Sequence, residues 1–125
     1  MRIAIPVFQG RVSPVFGAAQ RLKIWEVQEN EINSQELLTI STVAPYMRPQ
    51  WLKSQGVEVL LCGGIGQRMK MLIESCGIKV VPWVAGVVDD VLEAYLNNTV
   101  FEEQYLMPGC WRGKRRFKPG RWTGL

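Results

Sequence analysis

The apolar positions of this chain fall into short runs of two kinds. Residues 1–7, Met1-Arg2-Ile3-Ala4-Ile5-Pro6-Val7, are nearly all apolar and are bounded by Gly10 and Pro14, the pattern of a strand buried on both faces. Pro6 has no amide proton to give to a ladder and belongs near that strand's end. Leu22-Lys23-Ile24-Trp25-Glu26-Val27 alternates strictly. Residues 31–40 alternate more loosely after a Glu29-Asn30-Glu31 turn, so the two segments predict an antiparallel hairpin. A short helix starts at Pro49, carries Trp51 and Leu52, and stops at Gly56. Residues 57–62 and 78–81 read as two more buried strands. Between them Met69, Leu72, Ile73 and Cys76 recur at i, i+3, i+4 and i+7, one apolar helix face ended by Gly77. A last helix turns Val88, Val91, Leu92 and Tyr95 inward, with Asp89 and Asp90 in the first turn, where the helix dipole favours acids.

The order β-β-β-α-β-α-β-α predicts a single α/β domain. Strands separated by helices run parallel, and the hairpin extends the sheet on the other side of the first strand. The expected fold is a three-layer, ribonuclease-H-like one: a mixed five-stranded sheet of order 3-2-1-4-5, strand two antiparallel, with about three helices. In open sheets of this kind ligands bind where the chain leaves neighbouring strands in opposite directions. Two segments meet there, Gly10-Arg11-Val12-Ser13-Pro14-Val15-Phe16-Gly17 and Cys62-Gly63-Gly64-Ile65-Gly66. Three glycines in four residues, followed by a helix N-terminus, suit close approach of backbone amides to an anion. Cys62 adds a thiolate candidate and Ser13 a hydroxyl. The same residues also fit a plain strand-to-helix turn above a buried Cys62.

Composition narrows the chemistry. With 47% apolar and 21% charged residues the chain reads as an ordinary globular protein. No apolar run approaches a membrane span and the start lacks the organisation of a signal peptide, so a cytoplasmic location is expected. The three cysteines, Cys62, Cys76 and Cys110, form no even disulfide framework and no C-x-x-C pair, which points to reduced thiols. There is no histidine, which removes the commonest metal ligand and the usual neutral-pH acid–base group. The fold invites a two-metal nuclease reading, but the first strand offers Arg2, Ile3, Ala4 and Ile5 and no carboxylate. A hydrolase built on Ser13 lacks a base. No catalytic residue is expected.

At this point the residues resemble a known family. MRIAIPV at 1–7, Gly10, Val12-Ser13-Pro14 and Phe16-Gly17, LLCGGIG at 60–66, Cys76-Gly77-Ile78-Lys79-Val80-Val81 and AYLNN at 94–98 are similar, in order and spacing, to the dinitrogenase iron–molybdenum cofactor biosynthesis family. Its members are nitrogenase accessory proteins and domains that carry or process molybdenum–iron–sulfur clusters. The resemblance implies the ribonuclease-H-like sheet and a non-catalytic carrier of an iron–molybdenum–sulfur or other metal–sulfur cluster. It places the cluster at Ser13, Val15, Phe16 and Gly17 and at Cys62, Gly63, Gly64, Ile65 and Gly66, and it implies a cluster donor or acceptor protein as partner. Many members read Ser-Pro-His-Phe-Gly in the first loop, the histidine being a candidate ligand; here Val15 stands in its place. One thiolate is short of the roughly four that iron–sulfur sites use. Three alternatives follow: an anionic cluster held by amides, ligands from a partner or from the tail, or a member that has lost the cluster.

The ends of the chain differ in charge. Residues 1–104, the α/β domain, hold nine Lys/Arg against eleven Asp/Glu, whereas the tail, residues 105–125, holds six Lys/Arg and no acid. Trp111, Phe117 and Trp122 interleave those cations, a pattern that suits single-stranded nucleic acid or an acidic protein, though a solvated tail is the plainer reading. The tail is the basis of the competing function, an interaction module without a cluster, and nucleic acid is the less favoured partner. Cys110, among Arg112, Lys114 and Arg115, is a candidate metal ligand or redox-sensitive thiol, or else an ordinary tail cysteine, and the tail is long enough to lie over the crevice. Cys76, on the apolar helix face, is expected to fill core.

Overall fold

The structure is a computed structural model and describes residues 1–98 and 105–107. Its strands are β1 (Arg2–Phe8), β2 (Arg11–Val12), β3 (Arg21–Gln28), β4 (Glu31–Thr39), β5 (Val59–Leu61) and β6 (Lys79–Val81). Its α-helices are α1 (Arg48–Ser54), α2 (Gln67–Ser75) and α3 (Val88–Leu96), with 3₁₀ turns at Phe16–Ala18 and Pro45–Met47. The sheet runs β4-β3-β1-β5-β6, and two-residue β2 folds back antiparallel on the end of β1. β1 pairs parallel with β5, and β5 with β6, while β1–β3 and β3–β4 are antiparallel. The parallel β1–β5 ladder is confined to Ile3 and Ala4, so Pro6 lies beyond the stretch where a missing amide proton would break it.

Period-two alternation divides the core between two faces. Ile3, Ile5, Trp25, Val27, Val59 and Leu61 pack on one side with Val88, Val91 and Leu92 of α3. Ala4, Leu22, Ile24 and Leu60 pack on the other with Leu52 of α1 and Ile73 of α2. The result is one helix over one face and two over the other.

Three features depart from the sequence expectation. The short strand β2 has too few residues to show a period. β5 and β6 are only three residues each, because their outer residues turn early into loops. On α2 only Ile73 is buried; Leu72 is 40% exposed and Cys76 half-buried beside the core. The contact stripe of that nine-residue helix is narrow, so Leu72 falls at its edge, facing solvent.

The β3–β4 turn has left-handed backbone at Glu29 and Asn30 (φ 51° and 64°), the condition for a two-residue turn that follows the strand twist. One residue is inserted further on: Glu26 faces Ser34 but Val27 faces Ile32, leaving Asn33 as a bulge. Directly opposed residues share a face, so Ile32, Gln35 and Leu37 all stand on the α3 side with Val27, Trp25 and Lys23.

Candidate functional site

Three loops meet at the C-terminal ends of the parallel strands: residues 9–20 after β1, 62–66 after β5 and 82–87 after β6. The third was not anticipated. Backbone hydrogen bonds stitch them together. Gly64 N–H donates to Pro14 O (2.7 Å) and Phe16 N–H to Gly64 O (2.8 Å). Trp83 N–H donates to Gly63 O (2.9 Å), Val84 N–H to Cys62 O (2.9 Å) and Val12 N–H to Gly86 O (2.8 Å). β2 closes the ring, with Arg11 bridged to Val87.

The stitching changes what the glycines do. A Cβ on Gly63 would stand 2.6 Å from the carbonyl oxygens of both Ser13 and Pro14. One on Gly64 would meet Pro14 O and the Trp83 ring, each at 3.2 Å. These two glycines therefore let one loop pass against another, and the amide of Gly64 is already given to Pro14. Gly66 differs: nothing stands near its Cβ position. It is the N-cap of α2 with no side-chain cap and no acid in the first turn, so the helix's positive end is open to solvent there.

The other expected residues divide between core and rim. Cys62 is fully buried, in the cluster with Phe16, Leu60 and Ile73. Contact of its thiol with a cluster therefore requires the loops to part. Ser13 is buried too, with its hydroxyl donating to Val15 O (3.4 Å). Gly17 is exposed and Ile65 half-buried. Val15 is 53% exposed and paired with Gly64 in a single parallel bridge. The position at which the family resemblance implies a histidine is thus at the rim. Cys110, with the tail aromatics Trp111, Phe117 and Trp122, lies outside the described residues. Among the described residues no group of three or more His, Cys, Asp or Glu is placed to hold a metal ion.

Two residues at the site had not been singled out. Trp83 has φ 65°, a left-handed backbone that a bulky residue rarely adopts, and its ring lies over Gly64. It is fixed on both sides, its N–H on Gly63 O and its carbonyl accepting from Met107 N–H (3.0 Å). Pro82 and Gly86 mark a loop in the sequence, but nothing local marks the sign of φ. Arg48 is only 4% exposed. Its guanidinium donates to Phe16 O (2.9 Å), Val43 O (3.2 Å) and Ile40 O (3.4 Å) and stacks on the Phe16 ring. Burial pushes its pKa below the usual arginine value, and among the described residues it makes no ion pair. A buried cation without a counter-charge leaves a positive field under the first loop.

The sheet is covered on both faces, and at one end three interlocked loops bring together an open helix N-terminus and a buried arginine, which give that end a positive local polarity. The chain belongs to the dinitrogenase iron-molybdenum cofactor family, whose pattern it matches over residues 1–98. It is 23% identical over 105 residues to protein MJ0580 of Methanocaldococcus jannaschii, covering 77% of this chain and 86% of that one. Among solved structures it is similar to PH0822, with 29% identity and a TM-score of 0.72 over 78% of this chain and 92% of that one. It is also similar to the apo form of the orange protein from Desulfovibrio gigas, with 25% identity and a TM-score of 0.65 over 78% and 88% of the two chains.

Proposed function

We propose that this protein is a non-catalytic carrier of an anionic metal–sulfur cluster, of the iron–molybdenum or a related molybdenum type, built on a ribonuclease-H-like scaffold. It passes its cargo between a donor and an acceptor protein. Membership of the cofactor family over residues 1–98 carries the reading. The donor set decides its form. The described residues do not supply the roughly four thiolates of an iron–sulfur site, but they do suit an anion. The cargo lies on the outer face of the loops Ser13–Gly17 and Cys62–Gly66. There the open first turn of α2 and the field of Arg48 favour negative charge, and Val15, Ile65 and Trp83 offer an apolar border. The rare backbone of Trp83 supports a binding role, since strain of this kind persists where function holds it.

Cys110 is the proposed thiolate on that face. It follows Met107, whose amide is bonded to Trp83 O, by three residues, a span of at most about 11 Å. Cys62 is the second proposed ligand, reached only when the loops open.

Anaerobic reconstitution with iron, sulfide and tetrathiomolybdate tests the reading, with visible absorption and metal analysis as readouts. The expected result is a stoichiometric coloured complex, lost in Cys110→Ser and tightened by about tenfold in Val15→His, which places an imidazole at the exposed rim. Loss in a folded Cys62→Ser protein instead puts the cargo beneath the loops. A wild-type protein that stays metal-free rejects the carrier reading.

A further inference from the structure

Away from the three loops, α3 and the hairpin leave a groove of about 640 Å³ between them. Its walls differ in character. The exposed acids Asp89, Asp90 and Glu93 of α3 line one side. The hairpin wall is mostly polar, with Asn30, Glu31 and Gln35 around Ile32, which is 51% exposed, while Trp25 is buried at the base and Leu96 lies on α3. The bulge at Asn33 is what turns Ile32 to this face. The cation in the groove, Lys23, is 3.7 Å from Asp89 and lies over the Trp25 ring, so Asp90 and Glu93 keep their charge unopposed among the described residues. A groove that is acidic along α3, adds Glu31 on the hairpin and exposes Ile32 between them fits an extended segment rich in cations and flanked by aromatic rings.

This chain contains such a segment. Trp111-Arg112-Gly113-Lys114-Arg115-Arg116-Phe117 has four cations between two aromatic residues and no acid. It also starts close by. Leu106 bridges Val84 and Tyr105 O accepts from Ala85 N–H, which puts the chain beside the loop that leads into α3 at Val88. Trp111 is four residues beyond Met107, a reach of about 14 Å, and the nine residues of α3 are about 14 Å long. We infer that residues 111–117 dock in cis in the groove between α3 and β4, their cations on Asp89, Asp90 and Glu93 and an aromatic ring against Ile32. The tail is then covered by its own domain and is not free for nucleic acid until a competitor or salt releases it. The inference does not depend on the cluster.

Trypsin reports this in the full chain, because Arg112, Lys114, Arg115 and Arg116 are its sites. With three exposed ion pairs contributing, cleavage there is expected to be about tenfold slower than in a synthetic peptide of residues 108–125. The protection disappears in the Asp89→Asn/Asp90→Asn/Glu93→Gln variant and at high salt, and it weakens in Ile32→Ser, which leaves the helix untouched. Circular dichroism confirms that each variant is folded. Equal cleavage rates for wild type and the neutralised variant overturn the inference. So does protection that rises with protein concentration, since that places the tail in the groove of a second copy.

Discussion

Gly63 and Gly66 belong to one sequence motif and look equivalent in it, yet they meet different surroundings. The missing side chain of Gly63 is the space through which the Ser13-Pro14 backbone passes, whereas Gly66 faces open solvent. Gly63→Ala forces two chain segments apart, and a loss of about 1–3 kcal/mol in urea unfolding is expected. Gly66→Ala has ordinary φ and free space and forfeits only glycine's N-cap preference over alanine, so a smaller loss of about 0.5–1 kcal/mol is expected. Equal losses at the two positions would contradict this division of roles. Cys62 has the same lesson: a thiol next to a glycine run reads as a ligand, but alternation along β5 turns it into the core beside Leu60 and Phe16. Arg48, by contrast, looks like an ordinary helix-start cation until its three carbonyl partners are seen.

At the scale of elements the hairpin was legible and its details were not. Strict alternation over residues 22–27 and a polar turn located β3, β4 and their pairing; β3 runs one residue further at each end than expected and β4 stops one residue sooner. The bulge at Asn33 follows from no local signal, yet it sets which face Ile32 occupies. Glu29 holds a left-handed backbone that a side chain disfavours. Glu29→Gly is expected to raise stability by about 0.5–1 kcal/mol, read as a higher denaturation midpoint at unchanged cooperativity. A lower midpoint would mean that the turn is held by contacts of the Glu29 side chain. On α2 the four apolar residues at helical spacing give a narrower face than expected: Ile73 is buried, Met69 and Cys76 are half-buried against the core, and Leu72 is exposed.

At the scale of the whole molecule, segments far apart in sequence close the site. Leu106 is 8% exposed and bridged to Val84, while Tyr105 and Met107 exchange hydrogen bonds with the loop that carries Trp83. Leu106→Ala is therefore expected to cost about 2–3 kcal/mol, measured by urea denaturation. A loss below about 0.5 kcal/mol would show that this segment rests on the domain without clamping it. The same clamp sets where the basic tail departs, beside the acidic start of α3.

The α/β class, the hairpin, the three helices, the two loops that face each other and the family are all legible along the linear chain. Each of these depends on period, turn chemistry or a linear motif, which short-range sterics and apolar burial impose on neighbours in the chain. Tertiary structure alone decided that Gly63 and Gly64 serve loop packing and that Cys62 is core. It also decided that the Trp83 ring lies over Gly64, that Arg48 is buried beneath the first loop on three carbonyls with no carboxylate partner among the described residues, and that α3 and β4 leave an acidic groove. Those outcomes rest on contacts between residues tens of positions apart, on the sign of a single φ and on one inserted residue, none of which leaves a periodic trace along the chain.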